Sequence, residues 1–211
     1  MDNKGAVHGR GILFILSAPS GAGKSTLAKW ASENIPGVRQ SVSWTTRPKR
    51  PNETDGVHYH FTTPARFREM ITEEKFIEWA EVHGKYYGTT WDSVDEAQER
   101  MQDLLLVIDV QGAVKLRERK LEGVFIFVMP PSIEELKRRL LERGTETPET
   151  VQGRLDAAWE EISVSSHYDY LVINDTLEDA EKELEFIIRA ERCRMTRRRL
   201  EFDDFTMGQP L

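Results

Sequence analysis

The chain has 211 residues, 36 acidic against 29 basic side chains, a net charge of −7 at pH 7 and a single cysteine, Cys193. A chain of this length can bury a full core in one globular unit, and its negative balance disfavours broad affinity for nucleic acid. The lone thiol excludes an internal disulfide framework, the apolar runs are strand-sized rather than membrane-sized, and the acidic start Met1-Asp2-Asn3 lacks a secretory n-region, so the simplest location is cytoplasmic.

Residues up to about Arg10 show no periodicity and are expected to form a loose terminus. The apolar run Ile12-Leu13-Phe14-Ile15-Leu16 reads as a buried strand. It breaks into S-A-P-S-G-A-G-K-S-T, Ser17 to Thr26, followed by Leu27-Ala28-Lys29-Trp30-Ala31: the strand, glycine-bearing turn and helix of a phosphate-binding P-loop. Gly21 and Gly23 let successive N–H groups turn around a phosphate, and the helix starting near Lys24 points its positive end into the same space. Lys24 can then reach β- and γ-phosphates, and the Ser25 hydroxyl is placed to ligate Mg2+. The strict pattern begins with glycine where this chain has Ala18, which implies ordinary backbone angles at the first corner. Pro36-Gly37 ends the helix.

From Val38 to Trp91 the texture changes to short alternating stretches, such as Val57-His58-Tyr59-His60-Phe61, with a helix from Pro64 through Glu74. This stretch is expected to be an inserted small domain that presents side chains to a ligand. Leu104 to Asp109 is a second buried strand ending in a carboxylate, where such folds place an acid near magnesium or the acceptor. Val124 to Met129 is a third strand, and Ser132 caps the helix after it, with Glu135 at the capping-box position and an end at Arg143-Gly144. A helix from about Pro148 to Ser165, a strand at Tyr170 to Asn174 and a last helix from Leu177 to about Arg199 complete an α/β alternation with a parallel sheet.

Arg47 and Arg50, flanked by hydroxyls and followed by Tyr59, suit a second phosphate, because guanidinium groups bind its oxygens bidentately. Glu78 is one carboxylate in an aromatic setting, able to accept from N1–H and the exocyclic amine of guanine, a donor edge that adenine lacks. Arg139, Arg143 and Arg154 flank the polar segment Gly144 to Pro148 and suit a lid closing over transferring phosphates. His58 and His60 have no partners at metal-ligand spacing, and the arginines from Arg189 to Arg199 are read as favourable charges near a helix C-terminus.

The P-loop, S-V-S-W-T-T-R-P-K-R-P, F-I-E-W-A, Y-Y-G-T-T, I-D-V-Q-G-A, R-G-T-E-T and V-I-N-D follow one another in an order that resembles guanylate kinases of the bacterial type, from Gly11 to about Ala190. The resemblance implies a P-loop NTPase core (residues 1–42 and 94–211) with a parallel sheet flanked by helices, an inserted small α+β GMP-binding domain (43–93) and a helical lid (144–158). It implies phosphoryl transfer from ATP to GMP, and from ATP to dGMP, with Mg2+ as cofactor. ATP and GMP would be the partners of a monomer or homodimer that binds neither nucleic acid nor membrane. The ATP-binding residues would be Ser20, Gly21, Ala22, Gly23, Lys24, Ser25 and Thr26, with Asn174 approaching the adenine. Guanine contacts would fall on Ser43, Glu78 and Asp109, with Thr89 nearby, and GMP-phosphate contacts on Arg47, Arg50, Tyr59 and Tyr87. Lys24, Arg47, Arg139, Arg143 and Arg154 would be catalytic. Val107 departs from the pattern, since relatives usually carry Asp or Glu there; Asp109 alone is expected to suffice. A guanylate-kinase-like scaffold domain is opposed by Lys24, Ser25 and Thr26, a kinase for another nucleoside monophosphate by Glu78, and a regulatory GTPase by the lack of an Asn-Lys-x-Asp motif.

Overall fold

The computed structural model describes residues 7–8, 11–82, 84–142 and 148–199. In chain order the elements are β1 (Val7–His8), β2 (Leu13–Ser17), α1 (Lys24–Asn34), β3 (Val38–Gln40), β4 (Trp44–Thr45), β5 (His60–Phe61), α2 (Pro64–Thr72), β6 (Phe76–Val82), β7 (Lys85–Thr90), α3 (Trp91–Glu99), β8 (Asp103–Val107), α4 (Val110–Glu118), β9 (Val124–Met129), α5 (Ile133–Glu142), α6 (Pro148–Ser163), β10 (Tyr170–Ile173), α7 (Leu177–Arg192) and β11 (Arg198–Arg199). The expected end of α5 at Arg143-Gly144 and the first part of the expected lid lie outside the described residues.

Every residue of β2 is buried, because both faces of its sheet are covered. Phe14 and Leu16 pack with Leu27 and Ala31 of α1 and Leu184 and Ile188 of α7. Leu13 and Ile15 pack on the opposite face with Val94 and Ala97 of α3 and Ala113 and Leu116 of α4. Full burial of such a side chain contributes about 1.5–3 kcal/mol. The five strands are parallel in the order β10-β9-β2-β8-β3. The chain moves from β2 to the edge strand β3, comes back inward through β8, and then crosses to β9 and β10 on the other side of β2, so the topological switch lies at the C-terminal end of β2, where ligands bind in such sheets.

A second sheet, ordered β5-β4-β7-β6, is built from the inserted stretch. The helix α2 packs on it by sliding Phe67 against Phe76 and Tyr86, with ring centroids 4.4 and 5.3 Å away. Ile77 of β6 belongs instead to the core cluster containing α3 and α4, and so ties this sheet to the larger one.

Some expected boundaries move, each for a visible reason. Only His60–Phe61 of the Val57–Phe61 stretch is strand, because Thr54 to His58 form a turn closed by Thr54 N–H donating to His58 Nδ1 at 2.9 Å. The helix α2 stops at Thr72, before Glu74 at φ 53°. Ser132 does accept from Glu135 N–H at 3.1 Å, but the Glu135 carboxylate binds Arg138 and Arg139 instead of reaching back to complete the box. β3, the β6–β7 hairpin, α3 and α4 are elements that the sequence reading does not anticipate.

The last helix ends at Arg192 rather than near Arg199. Beyond it the chain curls back so that Arg194 and Arg197 pair with Glu191, whose buried carboxylate also accepts from Tyr170 Oη at 2.5 Å. β11 then pairs antiparallel with β1. In the same corner, Arg192 Nε donates to Asp103 Oδ2 at 2.7 Å and Arg192 Nη2 to the Pro36 carbonyl at 2.8 Å, while Asp103 Oδ1 accepts from Ile12 N–H at 2.8 Å. Asp103 is buried, so removing its cation leaves a poorly solvated carboxylate. Arg192→Met should therefore lower unfolding free energy by about 2–3 kcal/mol. Urea denaturation measures this, and a loss below about 0.5 kcal/mol would class the pair with ordinary surface ion pairs.

Candidate active site

The P-loop leaves β2 at the switch point and closes on α1. Gly23, at φ 94°, is the N-cap of α1, and Gly21 has φ 99°; both angles lie in the region that side chains with a Cβ resist. Ala18 is not among the positive-φ residues, so the first corner does use ordinary backbone angles. The loop is held from outside: Asn174, just past β10, is buried and donates from Nδ2 to the Ala22 carbonyl at 2.8 Å. A Cβ on Gly23 would lie 2.2 Å from that same Nδ2. The Asn174 side chain thus braces the loop.

Lys24 Nζ donates to the Ile108 carbonyl at 2.6 Å, which fixes the ammonium at the floor between β2 and β8. Burial lowers its pKa, and the negative charges of Asp109, Glu161 and Glu78 oppose that shift. Ser25 and Thr26 are exposed on the first turn of α1. Together with Ser20, Gly21 and Gly23 they line a cleft of about 1080 Å³ whose far walls are Glu81 and Val82 of β6, Gln111 of α4, and Arg154, Ala157 and Glu161 of α6. Arg154 Nη1 reaches across to Ser20 Oγ at 2.8 Å. Arg139 sits beside the loop, with Nη2 donating to the Asn174 carbonyl at 2.9 Å and Nε to Glu135 Oε1 at 2.7 Å. Arg143 lies outside the described residues.

On the other side, the inserted sheet delivers Glu78. The register of β6 against β7 shifts between Phe76 and Glu78, and such a bulge re-aims side chains. Phe76, Ile77 and Glu78 are consequently all buried, against the alternation of a regular strand. Glu78 Oε1 accepts from Thr89 N–H at 3.1 Å, and the Thr89 hydroxyl is 3.2 Å from that of Ser43. Asp109 N-caps α4, its Oδ1 accepting from Gly112 N–H at 2.6 Å. Gly112 lies between the two acids: a Cβ there would be 3.0 Å from Glu78 Oε2 and 3.2 Å from Asp109 Oδ1. Burial first, and the charge of Asp109 second, push the Glu78 pKa up to about 7. Val107 is half-buried against the α1–α7 face of the core.

The expected phosphate side chains also gather. Arg47 Cζ stands 5.3 Å from the Tyr59 ring centroid, and Tyr59 meets Tyr87 edge-on at 6.1 Å. Burial and then Tyr87 raise the Tyr59 pKa. Arg50 is exposed on the same loop.

Two residues of this region go unmentioned in the sequence reading. Glu53 grips Arg47 through both carboxylate oxygens; the signal is an acid three residues after Arg50 and six after Arg47. Glu161 has its pKa pushed up to about 6 by burial, with Lys24 opposing. Its signal is the helical stripe 154, 157, 161 along α6, which faces the cleft.

The site therefore holds a cationic phosphate loop facing a buried acid pocket, with a second arginine cluster beside it. Residues 10–191 match the family model described as guanylate kinase. A guanylate kinase of Clostridium perfringens (strain SM101 / Type A) is 48% identical over 197 residues, covering 93% of this chain and 91% of the relative. That of Syntrophotalea carbinolica is 52% identical over 191 residues, covering 90% and 91%. The crystal structure of guanylate kinase from Anaplasma phagocytophilum superposes with a TM-score of 0.74 at 35% identity, covering 90% of this chain and 91% of that one. Agreement at this identity over nine-tenths of both partners leaves one family for it: the chain belongs to the guanylate kinases.

Proposed function

We infer that this chain is an ATP:GMP phosphotransferase: an oxygen of the GMP phosphate attacks the γ-phosphorus of ATP, the bond to the β,γ-bridging oxygen breaks, and ADP and GDP leave. The observation that carries this reading is Glu78, a buried acceptor backed by Thr89 N–H and close enough to Lys24 of the P-loop for each to bear on the other's ionisation. Guanine's N1–H and exocyclic amine can donate to that carboxylate, whereas adenine presents an acceptor at N1. Ser43, Thr89 and Asp109 complete the base pocket in this reading, and Arg47, Arg50, Tyr59 and Tyr87 take the acceptor phosphate.

A phosphate monoester has its second pKa near roughly 6, so the acceptor is already largely dianionic and needs no strong base. The chemical difficulty is to hold two anions in line. Lys24 and the arginines Arg139, Arg143 and Arg154 offset charge on the transferred group, and Arg47 screens and aligns the acceptor. The P-loop residues Ser20 to Thr26 cradle the donor phosphates. The donor set suits Mg2+: the Ser25 hydroxyl is exposed on the first turn of α1, and Glu161 supplies a carboxylate in the same cleft. When bound, Mg2+ neutralises charge on the β- and γ-phosphates. We assign dGMP as a second acceptor and the cytoplasm, where ATP and GMP are found, as the place of action.

A coupled assay of ADP release with GMP, AMP, CMP and UMP tests the assignment. GMP should exceed the others in kcat/KM by about 10³-fold or more, as sites that hydrogen-bond their substrate discriminate strongly. Comparable use of AMP would remove the assignment of the base. Lys24→Ala should abolish turnover while leaving the fold intact, because it removes charge stabilisation rather than core packing; a folded variant with near-normal turnover would displace Lys24 from the chemistry.

Glu78 also makes a stability prediction. Its folded-state pKa, about 7, lies above the ordinary value of 4.5. The folded chain therefore holds the proton more tightly, and this contribution is present at low pH and lost as pH rises through 7. Glu78→Gln carries no charge to bury, and its amide oxygen can still accept from Thr89. The variant should be more stable than the parent at pH 8, by about 2–3 kcal/mol, and nearly equal to it near pH 4. Denaturation curves at the two pH values measure the difference; a gain of the same size at both would place the effect in packing rather than ionisation.

A further inference from the structure

Arg47 is held on three sides. Its Nη1 donates to Glu53 Oε2 at 3.0 Å and to the Pro48 carbonyl at 2.9 Å, and its Nη2 donates to Glu53 Oε1 at 2.6 Å. The face of the guanidinium lies toward Tyr59 and Phe61, with Cζ 5.3 and 5.8 Å from their ring centroids. The two side chains of the ion pair are only 15% and 14% exposed. Glu53 also accepts from Arg50 N–H at 2.8 Å, and its own N–H donates to the Arg50 carbonyl at 3.1 Å, so one carboxylate closes the loop that carries both arginines.

A guanidinium has five N–H donors in a fixed plane. Glu53 and Pro48 take both hydrogens of Nη1 and one of Nη2. What remains is the Nε–Nη2 edge, two parallel donors at the spacing of two oxygens on one phosphate, and among the described residues no hydrogen bond takes that edge. We propose that Glu53 is a positioning residue for the acceptor phosphate: by gripping the Nη1–Nη2 end of Arg47 it turns the Nε–Nη2 edge toward GMP, and it stays bound while the phosphate docks. This rests on the reading of Arg47 as a GMP-phosphate ligand.

The electrostatics agree with a tightly held pair. The hydrogen bonds from Arg47 and then from Arg50 N–H hold the Glu53 carboxyl down at about 2, and the bond to Glu53 raises the pKa of Arg47. Glu53 is thus ionised wherever the enzyme works, and the rigidity it gives to Arg47 removes rotamer freedom before the ligand arrives. A competing role would require Glu53 to leave before the phosphate could bind; the spare edge makes departure unnecessary.

The test is calorimetric binding of GMP, guanosine and ATP to the parent, Glu53→Gln, Arg47→Ala and the double variant. Glutamine offers one acceptor where the carboxylate offers two, so Glu53→Gln should weaken GMP by about 10-fold and leave guanosine, which has no phosphate, and ATP within about 2-fold. In the Arg47→Ala background the further loss from Glu53→Gln should vanish. Unchanged or tighter GMP binding would overturn the proposal in favour of a carboxylate that competes with the phosphate or does nothing. Equal weakening of GMP and guanosine, or a loss that persists without Arg47, would also overturn it, since either would mean Glu53 acts on the loop in general. Failure of the parent to bind GMP, or Arg47→Ala with undiminished GMP affinity, would instead strike the underlying reading of the site.

Discussion

Two sheets built from different parts of the chain have to meet closely enough for a base and a phosphate chain to face each other, and they meet at Gly112. The acid of the inserted sheet, Glu78, and the acid that caps α4, Asp109, lie so close to this residue that a Cβ would stand 3.0 and 3.2 Å from their oxygens. The glycine is therefore explained by distance: its angle is ordinary, but a Cβ would press on both carboxylates and make them give way by a few tenths of an ångström. The motif I-D-V-Q-G-A follows as one physical unit. Ile108 offers its carbonyl to Lys24, Asp109 caps the helix, Gln111 lines the cleft and Gly112 admits Glu78.

That junction concentrates charge where water is scarce. The charges of Lys24 and Asp109 bear on the ionisation of Glu78 and Glu161, and those of the three acids on that of Lys24, while burial works against the charged form of Lys24, Glu78 and Glu161. Such groups are held at a cost to stability, and a catalytic site is where that cost is tolerated. The strong hydrophobic layers on both faces of β2 are what keep the arrangement folded.

Much of this was legible from sequence where consecutive residues serve one purpose. The P-loop is such a run, since strand, glycines, lysine and helix must follow without a break. Glu78 was legible only as a carboxylate among aromatics, and its strand was not, because the bulge buries Phe76, Ile77 and Glu78 in succession and erases the alternation by which strands are recognised. The helix α4 was hidden by its own Gly112, a poor helix former placed there for clearance. Glu53 escaped because its partner Arg47 lies six positions away through a turn, a spacing that neither helix nor strand periodicity marks. The far end of α7 was overread, since nothing local in a run of arginines shows that a buried Glu191 will draw the chain out of the helix.

The brace from Asn174 to Ala22 spans 152 positions. Ribosomes deliver chains N-terminus first, so the phosphate loop is made well before β10, the strand that leads into its brace. A nascent chain halted anywhere before that strand carries the whole nucleotide-binding motif without its support. Nucleotide capture should accordingly switch on late in synthesis, and fragments that retain the motif alone should leave the ATP pool untouched.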